Sequence, residues 1–418
     1  MIKKIIFVTL ISIFIVMFLG SCERTTEAPD EIVIMTMFGK NTYTWNEYNK
    51  ILDSFREKYP EVNFVDYSET SSEKWKESMV TNFKQNKEPD ILFYFVGEQA
   101  SYMTENNLVV SVDEIRNFYP NYASNISYVA NNYMQDESGI QYAVPIRGFW
   151  EGMYINKDMF DKYDLPVPNT WERLSQAFYV FHSNGVTPIA ASLGEVPHYW
   201  IENTILSVGG IDSHEINISP TTGTPRSWLD SLDVIKNLYI NGAFPENTLT
   251  MTNSEAIEMF KNKEAAILVD GSWVVEELTD YENIMVLDFP SYTNGLKKEG
   301  EVIGGFTSGF YITNRAWTDA EKRNIVVELV SELTSNESIY NFSKHSYAPA
   351  ADIDIVLDNN PLGVSSYNLF NKINNVCSPI DSSMKPEAWS YLTNNFTAYL
   401  KDEITAESLL TNTAELNK

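Results

Sequence analysis

The sequence predicts an α/β protein in which strands and helices alternate twice along the chain. Ile32 to Met37 is a short β-rich run ending at Phe38-Gly39, and Ile91 to Phe95 is a second. Between them, Tyr48, Ile51, Leu52, Phe55 and Tyr59 recur at helical spacing until Pro60 stops the run. Val62 to Tyr67 alternates as a strand, and Trp75, Met79 and Phe83 mark one face of a helix over 71–85. Strand, helix, strand, helix, strand describes a parallel sheet covered by helices. Ligands of such sheets bind beyond the carboxyl ends of the strands. Position alone therefore makes candidate ligand loops of Phe38-Gly39 and of the stretch from Tyr94 to Glu98.

A break near Pro145 separates this unit from the next. Segments 141–146 and 149–156 read as extended, with Arg147-Gly148 between them. Alternation then restarts: helices over 171–182, 200–208, 229–240 and 254–261, and strands over 188–191 and 265–269. Two further strands follow at 302–306 and 309–313, then a long helix over 319–334. Amphipathic helices over 386–400 and 405–416 complete the pattern. No internal repeat or low-complexity tract interrupts it.

Composition narrows the function. The chain has 418 residues, of which 44% are hydrophobic and 21% charged, enough for two or three domains with ordinary cores. Its formal charge is −27, and such a field repels nucleic acid and anionic lipid surfaces. Aromatic residues reach 13%, a good supply for holding a flat apolar ligand face. Gly-x-Ser-x-Gly, His-Glu-x-x-His and a phosphate-cradling glycine loop are all absent from the sequence. His182, His198, His214 and His345 lack metal-ligand spacing. Asp352, Asp354 and Asp358 fall short of a calcium loop, because Val356 and Leu357 stand where oxygen ligands and a glycine are needed. The expectation is a protein with no catalytic residues, no metal and no cofactor.

The first residues carry a targeting signal. Lys3 and Lys4 precede an apolar stretch from Ile5 to Leu19, too short for a transmembrane helix, and Gly20-Ser21-Cys22 follows. Leu19-Gly20-Ser21-Cys22 resembles a bacterial lipobox, in which the cysteine becomes the lipidated N-terminus. The expectation is a signal peptide over 1–21, lipid on Cys22, and a polar tether over 22–30 holding the protein to the outer face of the cell membrane. Cys377 then has no disulfide partner.

Several segments resemble the extracellular solute-binding proteins of carbohydrate ABC transporters, the family that includes maltose- and multiple-sugar-binding proteins. Phe55-Arg56-Glu57-Lys58-Tyr59-Pro60-Glu61-Val62 is similar to that family's F-x-x-x-Y-P-x-V, and Pro89-Asp90-Ile91 to its strand entry. Tyr142 to Pro145 and Tyr154 to Phe160 resemble its Y-x-x-P and Y-N-K-D-x-F segments, with Ile155 where a tyrosine usually stands. Thr170-Trp171-Glu172, Ala265-Ala266-Ile267, Gly271-Ser272-Trp273, Gly304-Gly305 and Tyr347-Ala348-Pro349-Ala350 follow in the family's order.

The resemblance implies a two-lobed periplasmic-binding-protein fold of type II. Each lobe would be a mainly parallel sheet flanked by helices, with the ligand cleft between lobes. One lobe would comprise 31–146 and 290–346, the other 147–289 and 347–418. It further implies a monomer that captures a small-molecule carbohydrate and hands it to the membrane permease of an ABC importer. Alternatives are another solute, such as a polyamine or peptide, and an extracytoplasmic enzyme acting on glycans.

Sugars show polar hydroxyl rims and apolar C–H faces, so their sites need aromatic platforms with a few fixed donors and acceptors. Asp270 and Trp273, on either side of Gly271-Ser272, are candidate ligand residues, and Trp273 stands where the family often places a stacking tryptophan. Arg147 and Phe149 lie in the first crossover; Arg147 would either donate to vicinal hydroxyls or form a structural ion pair. Tyr94 and Glu98 end a strand, although Glu98 could equally favour the start of the next helix. His198-Tyr199-Trp200 opens a helix of the second unit. Phe306-Thr307-Ser308 follows Gly304-Gly305, where backbone could approach a solute.

Overall fold

The computed structural model describes residues 31–418. The expected signal peptide over 1–21, the expected lipidation site Cys22 and the expected tether over 22–30 lie outside the described residues. Among the described residues ten strands form two sheets: β1 (Glu31–Thr36), β2 (Asn63–Asp66), β3 (Ile91–Phe95), β4 (Phe149–Asn156), β5 (Thr187–Ala190), β6 (Ala265–Gly271), β7 (Ile284–Leu287), β8 (Glu301–Gly305), β9 (Ser308–Ile312) and β10 (Asn375–Cys377).

The first sheet has the order β2-β1-β3-β9, parallel except where β9 runs against β3. Side-chain alternation splits its strands between two faces. Ile91 and Phe93 enter one core with Leu52 and Phe55 of helix Tyr43–Lys58 and Val326 and Val330 of helix Ala320–Leu333. Leu92 and Tyr94 enter the other with Trp75, Met79 and Phe83 of helix Glu73–Lys84. The helix at 43–58 begins where the Thr42 hydroxyl accepts the Trp45 amide at 3.1 Å, and it ends just before Pro60.

The second sheet has the order β10-β8-β4-β6-β5, with β7 paired to β4 beside β8. Strand β4 is its axis and runs antiparallel to β6, β7 and β8. Only β5 with β6 and β8 with β10 are parallel. The mainly parallel sheet expected for this lobe is thus a mixed one, because β4 enters from the first lobe against the direction of its neighbours. Met153 and Ile155 face one core, with Trp200, Ile201 and Trp389. Trp150 and Tyr154 face the other, with Phe260 and Leu268.

Strand pairing also corrects the expected return to the first lobe at residue 290. Phe289 is core to the second lobe, the Tyr292 amide donates to Ser207 O, and β8 pairs with β4 and β10. The chain changes sheets between β8 and β9 instead. After residue 347, Ala350 and Ala351 still pack in the first-lobe core before the chain enters helix Pro361–Lys372 of the second.

The crossings lie side by side. The Gly148 amide donates to Ala348 O at 2.7 Å, Arg147 bridges Pro349, and Phe149 pairs with Gly305. Gly305 has φ +115°, and a Cβ there would meet the Tyr133 ring at 3.0 Å, so this crossing needs glycine.

Candidate functional site

The cleft between the lobes has one wall of aromatic rings. Phe149 opens β4, Trp273 follows β6, and His198 and Tyr199 open the helix His198–His214. Phe149 and Trp273 rings are 5.4 Å apart, Trp273 and Tyr199 6.0 Å, Tyr199 and His198 4.2 Å, and His198 and Trp389 5.6 Å. All but Trp389 are partly exposed, so part of each of these rings is accessible. Phe306 lies at the crossing beside Gly148, 6.0 Å from the half-buried Tyr133 ring.

Polar groups sit immediately behind these rings. Glu151 lies two residues beyond Phe149 on the same face of β4 and accepts the Asn203 amide at 2.6 Å. Glu202 accepts the Ile380 amide at 3.3 Å, and its other oxygen has no protein partner. Burial raises both carboxyls well above the usual range, and the negative groups nearby, Asp270 for Glu151 and Glu151 for Glu202, add to it. Asp270 accepts the Gly271 amide at 2.7 Å and the Asn253 side chain at 3.2 Å, and burial pushes it up to about 7. Expected as a ligand residue, it instead shapes the turn before Trp273 and has no exposed surface, because its carboxylate is taken up by Gly271 and Asn253. Burial lowers His198 to about 3, with Lys76 contributing, so its imidazole is neutral.

Two carboxylates of the second lobe reach donors of the first. Glu276 accepts the Thr44 hydroxyl at 2.8 Å and pairs with Arg147, whose guanidinium also donates to Phe342 O at 2.8 Å. Arg147 is therefore engaged in a structural ion pair, the second of its two expected roles. Asp381 accepts from Lys76 at 2.8 Å, and its backbone oxygen from Gln99 at 3.2 Å. Glu98, half-buried beside this contact, has a raised pKa through burial.

The expected residues thus divide. Phe149, His198, Tyr199 and Trp273 come together, while Phe306, Thr307 and Ser308 line the crossing, where Thr307 O accepts the Val96 amide. Three others are core residues instead. Phe38 packs against Phe93 at 4.7 Å, Tyr94 is fully buried, and Trp200 packs edge-on against Phe244 and Phe289. Gly39 is buried, with no room for a Cβ beside Thr70. A large ring beside a strand end fills a core as readily as it lines a cleft.

Sequence reasoning missed Lys76, Glu151, Asn203, Glu276 and Asp381. None stands in a motif, and each gains its place only when distant segments meet. A separate hollow of ≈520 Å³ at the far end of helix His198–His214, lined by Val208, Gly209, Asp212, Ile216 and Leu296 among others, contains none of the expected residues.

Comparison with known proteins agrees with this architecture. The family model for bacterial extracellular solute-binding protein matches residues 43–338, more than half of the chain. Among curated proteins none matches. A structure described in connection with xylan utilization by Caldanaerobius polysaccharolyticus is 20% identical and superposes with a TM-score of 0.78, over 92% of this chain and 99% of its own. Maltose-bound MalE3 of T. maritima is 17% identical, TM-score 0.73, over 92% and 98%. A sugar transporter protein of Bacillus licheniformis in complex with stachyose is 15% identical, TM-score 0.71, over 92% and 98%. At these identities the structures establish the two-lobed fold, and the family match establishes membership. This chain belongs to the bacterial extracellular solute-binding proteins.

Proposed function

We propose that the protein captures a sugar or oligosaccharide in the interlobe cleft and delivers it to the permease of an ABC importer. The observation that carries this reading is the continuous ring wall Phe149–Trp273–Tyr199–His198, backed by hydrogen-bonding groups. Such a wall covers the C–H faces of a pyranose while donors and acceptors meet its hydroxyls. The likeness to a maltose-bound protein, to one in complex with stachyose and to one described in connection with xylan utilization supports the same solute class. On this reading lipid on Cys22 keeps the protein at the outer membrane face, close to its permease, and takes no part in binding.

Thermal-shift screening against mono- and oligosaccharides tests it. A specific sugar at 100 times its dissociation constant should stabilise the fold by about 2.7 kcal/mol. Silence across the sugars with a response to spermidine or a peptide would replace the solute class, and turnover of a glycan panel would replace binding by catalysis.

A further inference from the structure

We propose that Lys76 and Asp381 are positioning residues for solute capture: their ion pair is the contact that closes the lobes over the aromatic wall. The proposal rests on the reading that the cleft is the binding site. It stands on how each partner is anchored. Lys76 belongs to helix Glu73–Lys84, fixed to the first lobe by Trp75, Met79 and Phe83. Asp381 belongs to the turn Ile380–Ser382, fixed to the second lobe through Ile380, Met384 and Trp389. The two residues are 305 positions apart, yet Nζ and the carboxylate meet at 2.8 Å.

The surroundings are built for this meeting. Lys76 Nζ lies 4.6 Å from the Phe95 ring centroid of its own lobe and 5.9 Å from that of Trp389 across the cleft. Gln99 donates to Asp381 O, and Ser390 donates to Glu77 at 3.2 Å. Gly97 has φ +68°, and a Cβ there would stand 2.4 Å from Ser382 O. Only glycine lets the end of β3 approach the opposing turn this closely.

The two side chains are 10% and 11% exposed. Opening the lobes would return both charges to water, so their attraction on closure is opposed by lost hydration. A contact so balanced fixes how the lobes meet and leaves closure responsive to solute. Trp389, which packs on His198, ties the pair to the ring wall. Losing the pair lowers the closed fraction, and apparent affinity falls with it.

Small-angle scattering of the ligand-free protein, Asp381→Asn, Lys76→Met and the swapped pair K76D/D381K tests this, with circular dichroism to establish folding. The expected result is a larger radius of gyration for each single variant and recovery toward the parent value in the swap. Titration with maltotriose and xylotriose is the second arm. Whichever sugar binds the parent should bind Asp381→Asn about tenfold more weakly. Folded single variants with parental scattering would overturn the proposal, as would a folded swap that recovers nothing. Should neither sugar bind any form, the scattering arm still decides the closing contact, and the sugar reading is what has lost support.

Discussion

Two buried clusters, one in each lobe, handle charge in opposite ways. In the first, Asp90 is held by Lys322 at 2.8 and 3.0 Å and also accepts the Val33 amide at 2.8 Å, so a buried charge is fully answered within the lobe. In the second, Glu151 and Asp270 make no ion pair among the described residues. Glu202 has only His214 at 3.9 Å, and neither nitrogen of that ring has a hydrogen-bond partner. The Asp90 cluster uses its charge as structure. The second carries polar groups whose neutral forms burial favours, directly behind the ring wall.

The largest expected effect falls on the satisfied side. Lys322→Met leaves Asp90 buried without its cation and should cost about 3–5 kcal/mol in urea unfolding. A loss below about 1 kcal/mol would mean that the first lobe does not depend on the pair. Next is Trp273→Ala, which should weaken binding of a responding sugar by about 2 kcal/mol, roughly thirtyfold, with little change in melting temperature. A large loss of stability with unchanged affinity would move Trp273 from the site to the core.

A smaller effect, read by pH, belongs to the second lobe. His214 is lowered by burial to about 4, against an ordinary value of 6.5. Its folded form stays neutral, so below about pH 6.5 the unfolded chain binds more protons and stability falls as pH drops toward 4. Between pH 7.5 and 5.5 this should amount to roughly 1 kcal/mol, and His214→Gln should lose less over that interval than the parent. Asp270 acts with the opposite sign: raised to about 7, its contribution is present at low pH and is lost as pH rises through 7. Equal slopes in the parent and His214→Gln would mean that the ring is hydrated in solution.

Much of the fold was legible because local pattern carries it. The strand at 91–95 and the helices at 171–183 and 386–400 announce themselves by apolar period, capping residues and Pro386 at the helix start. The mixed second sheet was not legible, since the direction of β4 depends on strands more than a hundred residues away. Nor was the return crossing, because a short strand such as β8 reads identically whichever sheet receives it.

By itself the sequence determined two α/β units and the family resemblance, and it singled out Phe149, His198, Tyr199 and Trp273, whose rings the fold then brings together, because these depend on spacing and on strand ends. Tertiary structure alone decided that Phe38, Tyr94 and Trp200 are core and that Arg147 serves Glu276. It also decided that Lys76 meets Asp381 across the cleft. Burial and charge pairing are properties of neighbours in space, and a contact 305 residues apart leaves no local trace in the chain.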